Sequence, residues 1–154
     1  MYEKLIENAI EARQKAYAPY SSFKVGAALL AKSGKVYEGA NIENASFSLT
    51  NCAERTALFK AVFDGEREFE AIAIVGGKDK LEFCPPCGAC RQALSEFCKS
   101  DFKVILFDGK EEKVYTFDDV LPLTFKLYRL YETKKGYYCR TNCSSLLHSI
   151  IRFL

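Results

Sequence analysis

Two short segments of the sequence carry residues that could bind a metal ion. One is Cys-Ala-Glu-Arg at 52–55, and the other is Pro-Cys-Gly-Ala-Cys-Arg at 86–91. Apolar residues at helical spacing follow each segment, so both are expected at helix N-termini. Thiolates are favoured there by the positive end of the helix dipole and by a bound metal ion. We therefore predict that Cys52, Cys87 and Cys90 bind zinc.

Glu54 and Arg55 follow the first of these cysteines directly. A carboxylate on the first helical turn can point toward the metal without binding it, where it can move protons for a zinc-activated water. Three thiolates leave a zinc site with a negative formal charge. Arg55 is predicted to compensate this charge by hydrogen bonding to a ligand sulfur. These two residues favour a catalytic zinc site.

A structural zinc site is the alternative, because a C-x-x-C pair alone is a weak signal and Cys84 could supply a fourth sulfur. The chain has seven cysteines and one histidine. An odd number of cysteines argues against a closed disulfide framework. A closed four-sulfur site has no use for a carboxylate like Glu54, so we rank the catalytic interpretation first.

The elements around these segments alternate between helices and strands. Apolar periodicity predicts helices starting near Leu5, Ala53 and Ala89, a first helix that continues to Ala16, and strands at 23–30, 36–39, 71–75, 103–107 and 113–117. This order, α-β-β-α-β-α-β-β, is typical of a three-layer α/β domain.

Composition excludes several classes of protein. The 154 residues are 49% hydrophobic and have a net charge of +2, which suits one globular domain. Lysine and arginine are not clustered enough to bind many phosphates, so we expect no nucleic-acid partner. Neither a secretory signal nor an apolar run of membrane-spanning length is seen, and a cytoplasmic location is expected.

Several longer blocks of sequence occur in a characteristic order. They are Ala-Tyr-Ala-Pro-Tyr-Ser at 16–21, Phe-Lys-Val-Gly-Ala-Ala-Leu at 23–29, Gly-Ala-Asn-Ile-Glu-Asn-Ala at 39–45, Asn-Cys-Ala-Glu-Arg-Thr-Ala at 51–57 and Pro-Cys-Gly-Ala-Cys-Arg-Gln at 86–92. With these blocks the sequence resembles the small, homotetrameric cytidine deaminases that bind zinc through three cysteines. The resemblance runs from about Glu7 to Phe125, and it implies an α-β-α fold with a mixed sheet of about five strands.

The resemblance implies a role for each matching residue. Cys52, Cys87 and Cys90 match the ligands of one zinc ion per subunit, and Glu54 matches the general acid and base. The nucleoside is contacted by residues matching Phe23 at the base, Asn41 and Glu43 at the ribose, and Ala53. Residues matching Ala45 and Phe47 reach a neighbouring subunit's active site, and Phe125 stacks on a base across an interface.

The implied reaction is hydrolytic deamination of cytidine and 2′-deoxycytidine to uridine and 2′-deoxyuridine with release of ammonia, as in pyrimidine salvage. A deaminase of a cytosine-bearing antibiotic such as blasticidin S shares the thiolate C-x-E pattern and is the nearest alternative. A polynucleotide editor is less favoured, because no basic channel is visible.

Three features depart from the family. Phe47 stands where many members have tyrosine, and Cys84 is an additional thiol. The segment after about Leu130 is unlike the family, so we predict a catalytic domain at 1–130 and an atypical C-terminal extension at 131–154. Cys139, Cys143 and His148 in that extension match no strong zinc pattern, and we assign them no function.

Overall fold

The computed structural model describes residues 2–125 and the backbone of 132–133 and 136–137. Its helices are α1 (Glu3–Gln14), α2 (Ala53–Phe63), α3 (Gly88–Ser95) and α4 (Phe117–Val120), with a 3-10 turn at Phe47–Leu49. Its strands are β1 (Lys24–Ala31), β2 (Val36–Ala40), β3 (Phe69–Gly77), β4 (Lys103–Phe107), β5 (Glu112–Thr116), β6 (Glu132–Thr133) and β7 (Gly136–Tyr137).

Five strands form one mixed sheet in the order β2-β1-β3-β4-β5, and β6 pairs with β7. Strands β1 and β2 form an antiparallel hairpin, and β1 also pairs with β3 in antiparallel register. Strand β4 is parallel to β3 and antiparallel to β5. A parallel pair needs a crossover connection, which α3 supplies. The predicted mixed sheet of about five strands is confirmed.

Helices cover both faces of the sheet. Alternate residues of β3 point to opposite faces, so Ile72 and Ile74 pack with α2 and α3, whereas Ala71 and Ala73 pack with α1. Because both faces are buried, β3 is almost continuously apolar. The three-layer α-β-α arrangement follows from these two cores.

A glycine sets how closely α2 lies against the hairpin. A Cβ at Gly39 in β2 would collide with the backbone oxygen of Ala53 and the backbone nitrogen of Ala57, both in α2. The missing side chain thus lets the first turns of α2 rest directly on β2. The N-terminus of α2, which carries Cys52 and Glu54, is thereby fixed to the edge of the sheet.

Some element boundaries differ from the prediction. Helix α1 ends at Gln14, so Ala16 lies beyond it, and Ala89 is exposed on α3. Phe117 belongs to α4 and not to the preceding strand, because the Thr116 side chain accepts a hydrogen bond from Asp119 and starts a helix there.

The predicted boundary near residue 130 lies outside the described residues. The same is true of Cys139, Cys143 and His148. Within the part of the chain that the structure describes, no helix is both long and apolar enough to cross a membrane.

Candidate active site

Three cysteine sulfurs meet where α2 and α3 begin. Cys52 is the N-cap of α2, Cys87 is the N-cap of α3, and Cys90 lies in the first turn of α3. Their Sγ atoms all lie within 4.8 Å of one another, and Cys52 Sγ is 3.8 Å from Cys87 Sγ. The two helix N-termini thus bring together residues that are separated in the sequence by α2, β3 and the loop that follows β3.

This cluster has the donor chemistry and the spacing of a zinc site. With Zn–S bonds of about 2.3 Å, two sulfurs of a tetrahedral site are about 3.8 Å apart. The Cys52–Cys87 distance of 3.8 Å equals that edge. The predicted ligand set is therefore together in space, and it fits a zinc ion.

Cys84 is not part of this cluster. Among the described residues, the group of sulfurs that could share a metal ion contains Cys52, Cys87 and Cys90. The Cys84 side chain instead packs against Gly76 at the end of β3. Burial, with the charge of Glu54 nearby, raises the pKa of the Cys84 thiol to about 12. Because Cys84 lies outside the group of sulfurs that could share an ion, the geometry favours a three-sulfur site.

The thiols of the cluster differ in their protonation. A hydrogen bond from Cys90, together with one from Arg55, lowers the pKa of Cys52 to about 5. The same bond to Cys52, with burial, raises the pKa of Cys90. The lowered pKa of Cys52 favours its thiolate form. Binding a metal ion requires the remaining thiols to release their protons as well.

Glu54 lies on the first turn of α2 beside the sulfurs. Its side chain is buried, and the residue is 4% exposed. Burial, together with the nearby charge of Cys52, raises the pKa of Glu54 to about 6. A carboxyl group whose pKa approaches neutrality can both accept and release a proton under physiological conditions.

Arg55 connects the α2 N-terminus to the cluster. Its Nη2 donates hydrogen bonds to Thr50 O at 3.1 Å and to Cys52 Sγ at 3.7 Å. Its Nε is buried and has no hydrogen-bond partner among the described residues. A guanidinium held in this way places positive charge beside the thiolates.

Two of the residues predicted at the nucleoside, Phe23 and Asn41, are joined by a hydrogen bond. Phe23 is half-buried just before β1, and its ring borders Gly76, on which Cys84 also packs. Asn41 accepts a hydrogen bond from the backbone N–H of Val25 at 2.8 Å and donates one to Phe23 O at 2.9 Å. These contacts fix the Asn41 amide to the backbone of Phe23 and Val25.

Glu43 and Ala53 are buried, whereas the other three predicted residues are at the surface. Glu43 accepts hydrogen bonds from segment 20–21, and Ala53 is fully buried at the first position of α2. Ala45 is exposed, and Phe47 is 69% and Phe125 68% exposed. The exposed residues are not gathered onto the Cys52 cluster within this chain.

Comparison with known proteins identifies the family. The family model for the cytidine and deoxycytidylate deaminase zinc-binding region matches residues 1–106. The cytidine deaminase of Halalkalibacterium halodurans is 54% identical over 125 residues, which are 80% of this chain and 92% of that protein. The chain belongs to the cytidine deaminase family. The family that the sequence blocks indicate is thus confirmed.

Two further cytidine deaminases of the family extend the comparison. The protein from Sporosarcina psychrophila is 57% identical over 108 residues, 70% of this chain and 78% of that one. The crystal structure from Burkholderia pseudomallei superposes with a TM-score of 0.75 at 50% identity, over 81% of this chain and 99% of that one. The blasticidin-S deaminase of Bacillus cereus is more distant, at 32% identity over 107 residues, 66% of this chain and 76% of that one.

Sequence reasoning missed residues that hold the cytidine deaminase site in place. Arg91 donates hydrogen bonds to Pro86 O at 2.7 Å and to Val120 O at 2.9 Å, which fixes the backbone just before Cys87. Thr56 donates from its hydroxyl to Cys52 O at 3.2 Å. Both residues lie in the quoted sequence blocks, but only their contacts reveal what they do.

Proposed function

We propose that this protein is a zinc-dependent deaminase that converts cytidine and 2′-deoxycytidine to the corresponding uridines and ammonia. The observation that carries the proposal is the buried carboxyl of Glu54 beside three thiols at two helix N-termini. The family supports the same chemistry, because relatives at 54% and 57% identity are cytidine deaminases.

The ligands of the metal would be Cys52, Cys87 and Cys90, with one zinc ion per subunit. A zinc ion held there supplies Lewis-acid activation of a water molecule near neutral pH. Arg55 and the positive ends of α2 and α3 offset the excess negative charge of three thiolates. This compensation would preserve the Lewis acidity of the zinc ion, which the reaction needs.

Glu54 is the residue that moves protons. It accepts a proton from the attacking water and delivers it to N3 of the cytosine ring, which makes C4 more electrophilic. It then takes the proton of the hydroxyl group newly attached to C4 and transfers it to the departing amine, so one carboxyl acts as base and as acid. Its raised pKa suits this double role, because it brings the two protonation states closer in free energy near neutral pH than they are for an ordinary glutamate.

Four residues are proposed to bind the nucleoside. The ring of Phe23 borders Gly76, against which Cys84 also packs, and an aromatic ring there would offer a face to the cytosine base. Ala53 begins α2, so its backbone N–H has no acceptor within the helix. The amide of Asn41 and the carboxylate of Glu43 have the hydrogen-bonding capacity to hold a ribose hydroxyl.

The protein is proposed to form a homotetramer with shared active sites. Segment 44–49 is exposed throughout, and it includes Ala45 and Phe47. Phe47 and Phe125 expose large aromatic rings, as expected of residues that pack against another subunit. Neighbouring copies would then complete the site with these residues.

A role in pyrimidine salvage and a cytoplasmic location also belong to the proposal. So does the division into a catalytic domain at 1–130 and an extension at 131–154.

A blasticidin S-type deaminase is the alternative within the same chemistry. Asn41 and Glu43 together favour a ribose, and the relatives above 50% identity are cytidine deaminases. Measuring the rates on cytidine and on blasticidin S with the same zinc-loaded protein separates the two functions. A faster reaction with blasticidin S would reverse the assignment.

Replacing Glu54 by glutamine tests the proposed chemistry. Glutamine keeps the shape of the side chain but cannot carry the proton, so we expect turnover of cytidine to fall by about 10³-fold or more. The loss of cytosine absorbance measures turnover, and elemental analysis checks that zinc is retained. Glu112→Gln, an exposed change on β5, is the control. Normal deamination by the Glu54→Gln variant would refute the role of Glu54.

A further inference from the structure

The segment before β1 is held mainly by residues 41–43. The backbone N–H of Glu43 donates to Tyr17 O at 2.8 Å, and that of Tyr17 donates to Asn41 O at 3.0 Å. Ser22 has a left-handed backbone with φ of 59°, which a serine adopts only when its surroundings hold it there. The position of Phe23, which follows, depends on these contacts.

Ser21 makes the central contacts in this segment. Its Oγ donates a hydrogen bond to Glu43 Oε1 and accepts one from the backbone N–H of Phe23 at 2.9 Å. Its backbone N–H donates to Glu43 Oε2 at 3.1 Å, and that of Tyr20 donates to the same oxygen at 2.9 Å. One hydroxyl group therefore joins the carboxylate of Glu43 to the backbone of Phe23.

We propose that Ser21 is a positioning residue that couples the ribose-binding carboxylate of Glu43 to the base-binding ring of Phe23. The proposal rests on the proposed nucleoside deamination, because it assigns the ribose to Glu43. Ser21 itself is not expected to touch the reacting atoms. Its role is to keep two substrate contacts in register, one just after it in the sequence and one 22 residues away from it.

The hydrogen-bonding capacity of Glu43 supports this role. An ionised carboxylate has about four acceptor positions, and Tyr20 and Ser21 together occupy three of them. The capacity that remains suits one substrate hydroxyl. Without the Ser21 hydroxyl, Oε1 loses its fixed partner, and the carboxylate must be ordered when the substrate binds. That ordering weakens the contact with the ribose.

Glu43 is buried, so few other donors can replace Ser21. The residue is 8% exposed, and the hydrogen bond from the Ser21 hydroxyl lowers the pKa of its carboxyl. The charged form that binds a hydroxyl is thereby favoured.

The experiment compares two substrates that differ only in the 3′-hydroxyl, 2′-deoxycytidine and 2′,3′-dideoxycytidine. In the unchanged protein, kcat/KM is expected to be higher with 2′-deoxycytidine, because Glu43 and Asn41 contact the hydroxyl. In Ser21→Ala this preference should fall at least about fivefold, mainly through a higher KM for 2′-deoxycytidine. Ser21→Thr keeps a hydroxyl and should restore most of the preference.

Ser33→Ala is a matched control. It removes a hydrogen bond of the same kind, from Ser33 Oγ to Glu66 Oε1 at 2.6 Å, on the exposed turn between β1 and β2. Both substrates should react as they do with the unchanged protein. If Ser21→Ala does not fold, as judged from its thermal transition, Ser21→Cys replaces it, since a thiol of similar size is a weak donor.

The outcomes separate the two proposals. If the unchanged protein deaminates neither nucleoside, the proposed function fails, and the role of Ser21 fails with it. If the unchanged protein is active but shows no preference for the 3′-hydroxyl, only the role of Ser21 is overturned. Equal losses on both substrates in Ser21→Ala also overturn it, because they indicate a purely structural contribution.

Discussion

Cys52 and Cys87 are the N-cap residues of two helices, whereas Asn41 and Glu43 lie in irregular chain after β2. We call residues 52–55 and 84–91 the metal end of the site, and residues 17–25 and 41–43 the nucleoside end. Helix N-termini position the sulfurs of the metal end. Hydrogen bonds between side chains and distant backbone groups position the nucleoside end. The two ends should therefore respond differently to substitution.

The metal end should lose both zinc binding and turnover when one ligand is removed. In Cys90→Ala, the affinity for zinc should fall by more than the roughly 100-fold that loss of a supporting contact produces, and turnover should fall with it. Elemental analysis and the cytidine assay measure these two losses.

Cys84→Ala is the matched control for this prediction. The Cys84 side chain packs against Gly76 and lies outside the sulfur cluster, so its removal should leave the zinc content unchanged. Loss of zinc from Cys84→Ala would instead support the structural four-cysteine site. A zinc-loaded and active Cys90→Ala would contradict the ligand assignment itself.

Arg55 should have a smaller effect, because it supports the ligands without binding the metal. Its Nη2 lies 3.7 Å from Cys52 Sγ. Arg55→Gln removes the positive charge, and we expect the affinity for zinc to fall about 10- to 100-fold. Competition with a chelator measures this affinity. Arg55→Lys keeps the charge but not the planar fork, so an intermediate loss is expected. Equal affinity in all three proteins would show that the charge is compensated elsewhere.

The same contrast explains what the sequence could predict. The sequence predicts the cysteines and Glu54 as site residues because, within each segment, they lie within about one helical turn of one another. Such spacing is local information. The buried strands were found because their apolar runs are continuous. Ser21 and Glu43 could not be paired from the sequence, since 22 residues separate them and no periodicity connects them. The resemblance implies that Asn41 and Glu43 bind the ribose, but it does not show which contacts hold these two residues.

Specific hydrogen bonds explain the remaining differences between the predicted and the observed element boundaries. Alanine at helical spacing continues beyond Gln14, where α1 ends, yet the backbone N–H of Tyr17 donates to Asn41 O instead of extending the helix. Phe117 continues an apolar pattern, but the cap at Thr116 ends the strand. In both places a specific hydrogen bond outweighs the general pattern, and such a bond is not visible in one sequence.

Gly76 is the place where the two ends touch, and its substitution should have the smallest effect on activity. A Cβ at this position would lie 2.8 Å from both Cβ and Sγ of Cys84, and 3.0 Å from the Phe23 ring. Gly76→Ala therefore overpacks the contact, at a cost of about 1–3 kcal/mol in the free energy of unfolding. We expect the thermal transition to fall by several degrees.

The kinetic result distinguishes which neighbour gives way. Displacement of Phe23 raises KM for cytidine several-fold at constant zinc content, whereas displacement of Cys84 alone leaves KM unchanged. In the double variant Gly76→Ala/Cys84→Ala, removal of Sγ should recover part of the lost stability, as expected for residues in contact. Strictly additive losses in stability would mean that Gly76 and Cys84 do not share this contact. The contact at Gly76 would then not connect the nucleoside end to the metal end.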